Sequence, residues 1–175
     1  MSVQFEWDPR QFEAMLEGCK KSTILPLVYE YLPKQGMMLE AGCGLGQFVK
    51  FFQNQGYAVK GIEINQGTVE AINASHPELD IIVGDVAHMP YADNSFASIL
   101  SLGVVEHFVE GPEAPLEEMY RVMKPGATAF ICVPCFNTIR TFKYYTGLDT
   151  LEYYVRKIYY KIRKKMFRGC MGEIL

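Results

Sequence analysis

Three glycines at alternate positions, Gly42, Gly44 and Gly46, join two unlike segments. Before them runs a short apolar stretch, Met37-Met38-Leu39; after them Gln47 to Gln55 reads as a helix with Phe48, Phe51 and Phe52 as its apolar positions. A strand, a glycine turn and a helix in that order let backbone approach a ligand closely and aim the helix's first N–H groups at it. Such a unit places the ligand at the carboxyl end of a parallel sheet. The loop departs from two common patterns. A dinucleotide loop needs G-x-G-x-x-G, but here the third glycine comes one residue early and Gln47 stands in its place. A phosphate-cradling P-loop is excluded because no G-K-[ST] follows. Glu40, just before the first glycine, would repel a pyrophosphate and suits a positive amino group or sulfonium.

The neighbouring segments fit an α/β plan. Asp8-Pro9 opens a helix to Lys20 with Phe12, Met15, Leu16 and Cys19 on one face, and a second helix runs from Ser22 to Leu32. Strands are expected at Tyr57–Ile64, Asp80–Val83, Phe96–Leu102 and Ala127–Val133. Helices are expected at Gly67–Ser75 and Glu113–Met123, the latter with Leu116, Met119, Tyr120 and Met123 as its apolar positions. Continuous apolar runs alternating with amphipathic helices predict a Rossmann-like, doubly wound, mostly parallel sheet with five evident strands.

Two further strand ends carry chemistry. Glu63 closes the second strand, where a carboxylate can accept two hydrogen bonds from a ribose diol. Gly84-Asp85-Val86 closes the third, where a short acid and a backbone N–H can read the edge of an adenine. In order and on the right elements, the three strand ends specify a nucleoside bearing an amino acid and no phosphate.

These segments resemble the class I S-adenosylmethionine-dependent methyltransferases. The likeness rests on Leu39-Glu-Ala-Gly-Cys-Gly-Leu-Gly46, Val59-Lys-Gly-Ile-Glu-Ile64, the stretch from Val83 to Phe96, Ser101-Leu-Gly-Val-Val-Glu-His107 and Arg121-Val-Met-Lys-Pro-Gly126. The resemblance covers roughly residues 22–135. It implies S-adenosyl-L-methionine as cofactor, with Glu40, Gly42, Cys43, Gly44 and Gly46 along its methionine part. It implies Glu63 and Ile64 at the ribose, Asp85 and Val86 at the adenine, and Leu102 near the methyl group. The implied reaction is methyl transfer to a small-molecule acceptor, lipid-linked or sugar-linked ones included. Two alternatives stay open: a truncated, non-catalytic cofactor-binding remnant, and a nicotinamide-dependent oxidoreductase, which Gln47 and Glu40 disfavour. His107 is the candidate catalytic residue, as a base for a hydroxyl acceptor, a cofactor-side hydrogen-bond partner, or a helix cap. His76 reads as solvent-exposed and His88 as a loop residue. No His/Glu set at suitable spacing supports a metal.

Charge divides the chain. Residues 1–139 hold 8 Lys/Arg against 17 Asp/Glu, and residues 140–175 hold 9 against 3. The first part reads as the cofactor-binding domain, with leading helices over 1–35; the second reads as a basic helical cap rather than a domain. Leu148, Leu151, Val155, Ile158, Ile162 and Met166 form the stripe of one C-terminal amphipathic helix. Three readings compete for it: a cap over the acceptor, a contact with an anionic membrane surface, and nucleic-acid binding, which is not expected. The family sheet has seven strands, and the resemblance implies that the last two are missing. That would leave the fifth strand as an edge open to pairing with a second copy. Cys132 and Cys135 form a C-x-x-C with no second pair, and Cys132 reads as a small core residue. The cysteine count and the lack of a secretory signal or an apolar span predict a cytoplasmic protein.

Overall fold

A computed structural model describes residues 7–134 and, singly, Thr146. The expected tail helix, the missing sixth and seventh strands and Cys135 all lie outside the described residues. The chain opens with a 3-10 turn, Pro9–Gln11, and α1, Phe12–Cys19, followed by α2, Leu25–Tyr31. Then come β1 (Met37–Ala41), α3 (Gln47–Gln53), β2 (Ala58–Glu63), α4 (Gln66–Ser75) and β3 (Ile81–Val83). β4 (Phe96–Leu102), a 3-10 turn (Val105–His107), α5 (Glu113–Val122) and β5 (Met123–Cys132) complete it. Asp8 caps the first turn, accepting the Arg10 N–H, with Pro9 as its first residue.

The five strands form one parallel sheet in the order β3-β2-β1-β4-β5. The order reverses at β1, which pairs with β2 on one side and β4 on the other. In register, Glu40 stands beside Gly61 of β2 and Leu100 of β4, so three strands end together. This is the switch point at which open α/β sheets bind ligands.

One face of the sheet buries Met38, Leu100 and Phe130 under Phe12 and Cys19 of α1, Val28 of α2, Phe48, Val49 and Phe52 of α3, and Val69 and Ile72 of α4. Phe52 sits at the centre of this layer, fully buried, with ring centroids of Phe51, Tyr57, Phe48 and Tyr29 at 5.2, 5.9, 6.3 and 6.4 Å. Edge-on and stacked aromatic pairs at such spacings add to simple area burial. The opposite face packs Leu39, Ala41, Ile62 and Ile99 against Val86, Met89 and, from α5, Met119 and Val122.

Several expectations need correction. The strand expected at Asp80–Val83 is a sheet edge, β3, and Val83 is 45% exposed. β5 is the other edge of the described sheet, and Cys132 is exposed rather than a core residue. Tyr120 faces solvent, and the buried face of α5 is Pro115, Met119 and Val122. β5 begins at Met123, where it bridges Phe96, and a register shift precedes the Ser98–Thr128 pair. His76 is not simply solvent-exposed, because its ring stacks on Phe12 with centroids 4.0 Å apart.

Candidate functional site

A cleft of about 350 Å³ opens at the carboxyl ends of the strands. Of the residues expected there, Gly42, Glu63, Ile64, Asp85, Val86, Leu102 and His107 line it. Trp7, Val104, Glu106 and Phe108 join them.

Glu63 is the best-defined group. Its carboxylate is 6% exposed and accepts the Gly44 N–H at 2.9 Å through Oε2 and the Asn65 N–H at 3.0 Å through Oε1. The two bonds come from opposite sides, one from the glycine loop and one from the start of α4. They fix the carboxylate at the end of β2 and leave a second lone pair on each oxygen for a diol. Asp85 forms a local turn: its Oδ1 accepts the Ala87 N–H at 2.9 Å, and its carbonyl accepts the His88 N–H at 3.0 Å. The Val86 N–H between them has no protein acceptor among the described residues. An unfilled donor beside a short acid is the pair that the edge of a purine requires.

Three expected residues of the loop, Cys43, Gly44 and Gly46, and Glu40 of β1 stand off the lining. Gly42 and Cys43 both donate their N–H groups to the Ile62 carbonyl, at 2.9 and 3.0 Å. That ties the loop to β2 and turns the Cys43 side chain inward, where it is 1% exposed. Burial, with the charges of Glu40 and Glu63 nearby, pushes the Cys43 thiol well up, so it is no nucleophile at neutral pH. Gly46 begins α3 with φ +75°, and a Cβ there would stand 2.3 Å from Ile81 Cδ1. Only glycine takes that conformation at that spacing.

Glu40 is 3% exposed and accepts the Val49 N–H of α3 at 3.0 Å. Its immediate role in the structure is to tether α3 to β1. Burial raises its carboxyl well above the usual range and the charge of Glu63 adds to this, while the Val49 hydrogen bond opposes it. An acid whose folded pKa is raised stabilises fully below its unfolded value, 4.5, and loses that contribution as pH climbs towards the folded value. Glu40→Gln keeps an acceptor for Val49 and removes the charge. We expect the variant to gain stability over the wild type as pH rises from 5 to 8, read by denaturant unfolding. A difference that does not change with pH would show that Glu40 is not strained by its burial.

His107 ends the 3-10 turn after β4, with its N–H donated to the Val104 carbonyl at 3.1 Å. It faces the cleft beside Glu106 and Phe108. Among the described residues, no three His, Cys, Asp or Glu side chains gather as a metal-ligand set. No described helix is long and apolar enough to cross a membrane.

Sequence reasoning missed Trp7 and Val104. The signal for Trp7 was its place immediately before the Asp8-Pro9 start. Val104 fills the space a Cβ on Gly42 would need, with Cγ2 at 2.5 Å, and no local pattern announces a contact of that kind.

Known proteins share this chain's sequence pattern and fold. A methyltransferase domain model matches residues 39–131. A demethylmenaquinone methyltransferase of Paenarthrobacter aurescens is 36% identical over 95 residues, covering 54% of this chain and 37% of that protein. A norajmaline N-methyltransferase of Rauvolfia serpentina is 33% identical over 102 residues, covering 54% and 34%. The chain thus spans about a third of the length of these curated relatives. Among solved structures, a Methanococcus maripaludis protein described as an S-adenosyl-L-methionine-dependent methyltransferase superposes with a TM-score of 0.57 at 21% identity, covering 99% of this chain and 87% of that one. That likeness speaks for the fold.

Proposed function

The chain belongs to the class I S-adenosyl-L-methionine-dependent methyltransferases, and from that premise we propose that it transfers a methyl group to a small-molecule acceptor. The observation that carries this reading is the Glu63 carboxylate, held by two backbone N–H groups and facing the cleft. Glu63 would hold the ribose hydroxyls, and Asp85 with the Val86 N–H the adenine. When bound, the cofactor supplies an electrophilic methyl on a sulfonium, so the protein need only align an acceptor atom in line with it. An acceptor atom that carries a proton would have to give it up to the protein or to water.

Leu102, Val104 and Phe108 would give the acceptor an apolar wall, and His107, on the same described lining, would take its proton. The charged side chains on the described lining are Glu63, Asp85 and Glu106, with no Lys or Arg. The two relatives act on unlike acceptors by their names, so neither identifies the acceptor here.

Calorimetry with S-adenosylhomocysteine and with NAD tests the cofactor. Binding of NAD but not of S-adenosylhomocysteine would overturn the reading. His107→Ala is expected to lower turnover about 100-fold with cofactor affinity changed less than about threefold. Equal turnover of variant and wild type on the true acceptor would remove the catalytic role.

A further inference from the structure

The indole of Trp7 lies on the glycine loop. A Cβ placed on Gly44 would stand 3.0 Å from Trp7 Cε2, 3.2 Å from Cζ2 and 3.3 Å from Nε1. Gly44 is also the residue whose N–H is bonded to Glu63, and Trp7 lines the same cleft. The indole therefore stands one residue from the carboxylate that would hold the ribose. The cofactor's sulfur is joined to that ribose through a single methylene, C5′, so a cofactor held by Glu63 would bring its sulfonium to the side of the cleft that Trp7 lines.

Trp7 is also held in place. Asp8, next in the chain, caps the 3-10 turn and pairs with Arg10. Phe12, at the start of α1, is buried and stacked on His76 of α4. The indole itself packs partly buried against the layer formed by α1–α4. The indole is thus packed between that layer and the glycine loop.

Resting on the cofactor reading above, we infer that Trp7 is a specificity-determining residue that recognises the positive sulfonium and so distinguishes cofactor from spent product. S-adenosylmethionine and S-adenosylhomocysteine share adenine, ribose, ammonium and carboxylate. They differ by one methyl group and the charge on sulfur. An indole face attracts a cation and has no comparable attraction for a neutral thioether. A wall of this kind binds the charged reactant and lets the neutral product leave.

The test is titration calorimetry of wild type, Trp7→Phe and Trp7→Leu with both ligands, each variant first shown to be folded by circular dichroism. Trp7→Leu is expected to weaken S-adenosylmethionine about 5- to 30-fold and S-adenosylhomocysteine no more than about twofold. Trp7→Phe, which keeps a smaller aromatic face, is expected to recover most of the selectivity. Trp7 is the chain's single tryptophan, so its emission in the wild type should also change on binding either ligand. Equal weakening of the two ligands by Trp7→Leu, or an emission indifferent to both, would overturn the inference alone. Failure of the wild type to bind either ligand would remove the cofactor reading and the inference with it.

Discussion

Glu63→Ala should weaken the binding of S-adenosylhomocysteine roughly 100-fold or more, the largest effect of any single change on the cleft. Hydrogen bonds to a charged group are worth about 1.5–3 kcal/mol each, and the carboxylate stands ready to accept two from a ribose diol. The change also costs folding stability, in the free and the bound protein alike. Gly44 loses the acceptor of its backbone N–H at a buried position and Asn65 loses one at a half-buried position; a buried N–H left without an acceptor costs about 1–3 kcal/mol. Glu63→Gln does not escape this cost. Its amide has one oxygen, so one of the two N–H groups would face an NH₂ donor instead of an acceptor. The expected order of affinity is wild type, then Gln, then Ala, with both variants less stable to denaturant. Affinity of the alanine variant within threefold of wild type would mean that the ribose is held elsewhere.

Phe52→Ala should cost about 3–5 kcal/mol of folding stability, a large share of the total for a domain of ordinary stability, about 5–15 kcal/mol. The side chain is fully buried and touches aromatic rings from α2, α3 and the start of β2. Its removal leaves a cavity walled by rigid rings, which collapse poorly around it. The melting temperature should fall by more than about 10 °C. Because Phe52 is not on the cleft lining, variant that remains folded at low temperature should still bind S-adenosylhomocysteine with near-wild-type affinity. A loss below about 1 kcal/mol in denaturant unfolding would show that the aromatic layer repacks.

The elements that were legible in the amino-acid sequence are those whose signals are local. β1, the glycine turn and α3 announce themselves within twenty residues, and Glu63 and Asp85 stand at strand ends where the pattern puts them. What was not legible depends on neighbours distant in sequence. The strand runs at Asp80–Val83 and Ala127–Val133 look as apolar as central strands, yet β3 and β5 are the edges of the described sheet, and nothing local marks a strand as central or peripheral. Cys132 was misread for that reason. Glu40 was placed at the ligand from its sign of charge, whereas the structure shows its carboxylate tethering Val49, a bond formed only because α3 folds back over β1. His76 and Trp7 owe their surroundings to the packing of the first turns against α4 and the glycine loop. Periodicity along one segment carries no record of such contacts.

The order in which the strands sit has a consequence for synthesis. The central strand, β1, leaves the ribosome early, but the neighbour on its second side, β4, arrives only after β2, α4 and β3 have been made. In that interval the middle of the future sheet is a bare strand edge beside apolar side chains, the arrangement that attracts other unfinished chains. Pairing across so long a gap in sequence is slow compared with forming a hairpin. The same crossover that creates the cleft therefore keeps one edge of β1 unpaired until β4 has been made.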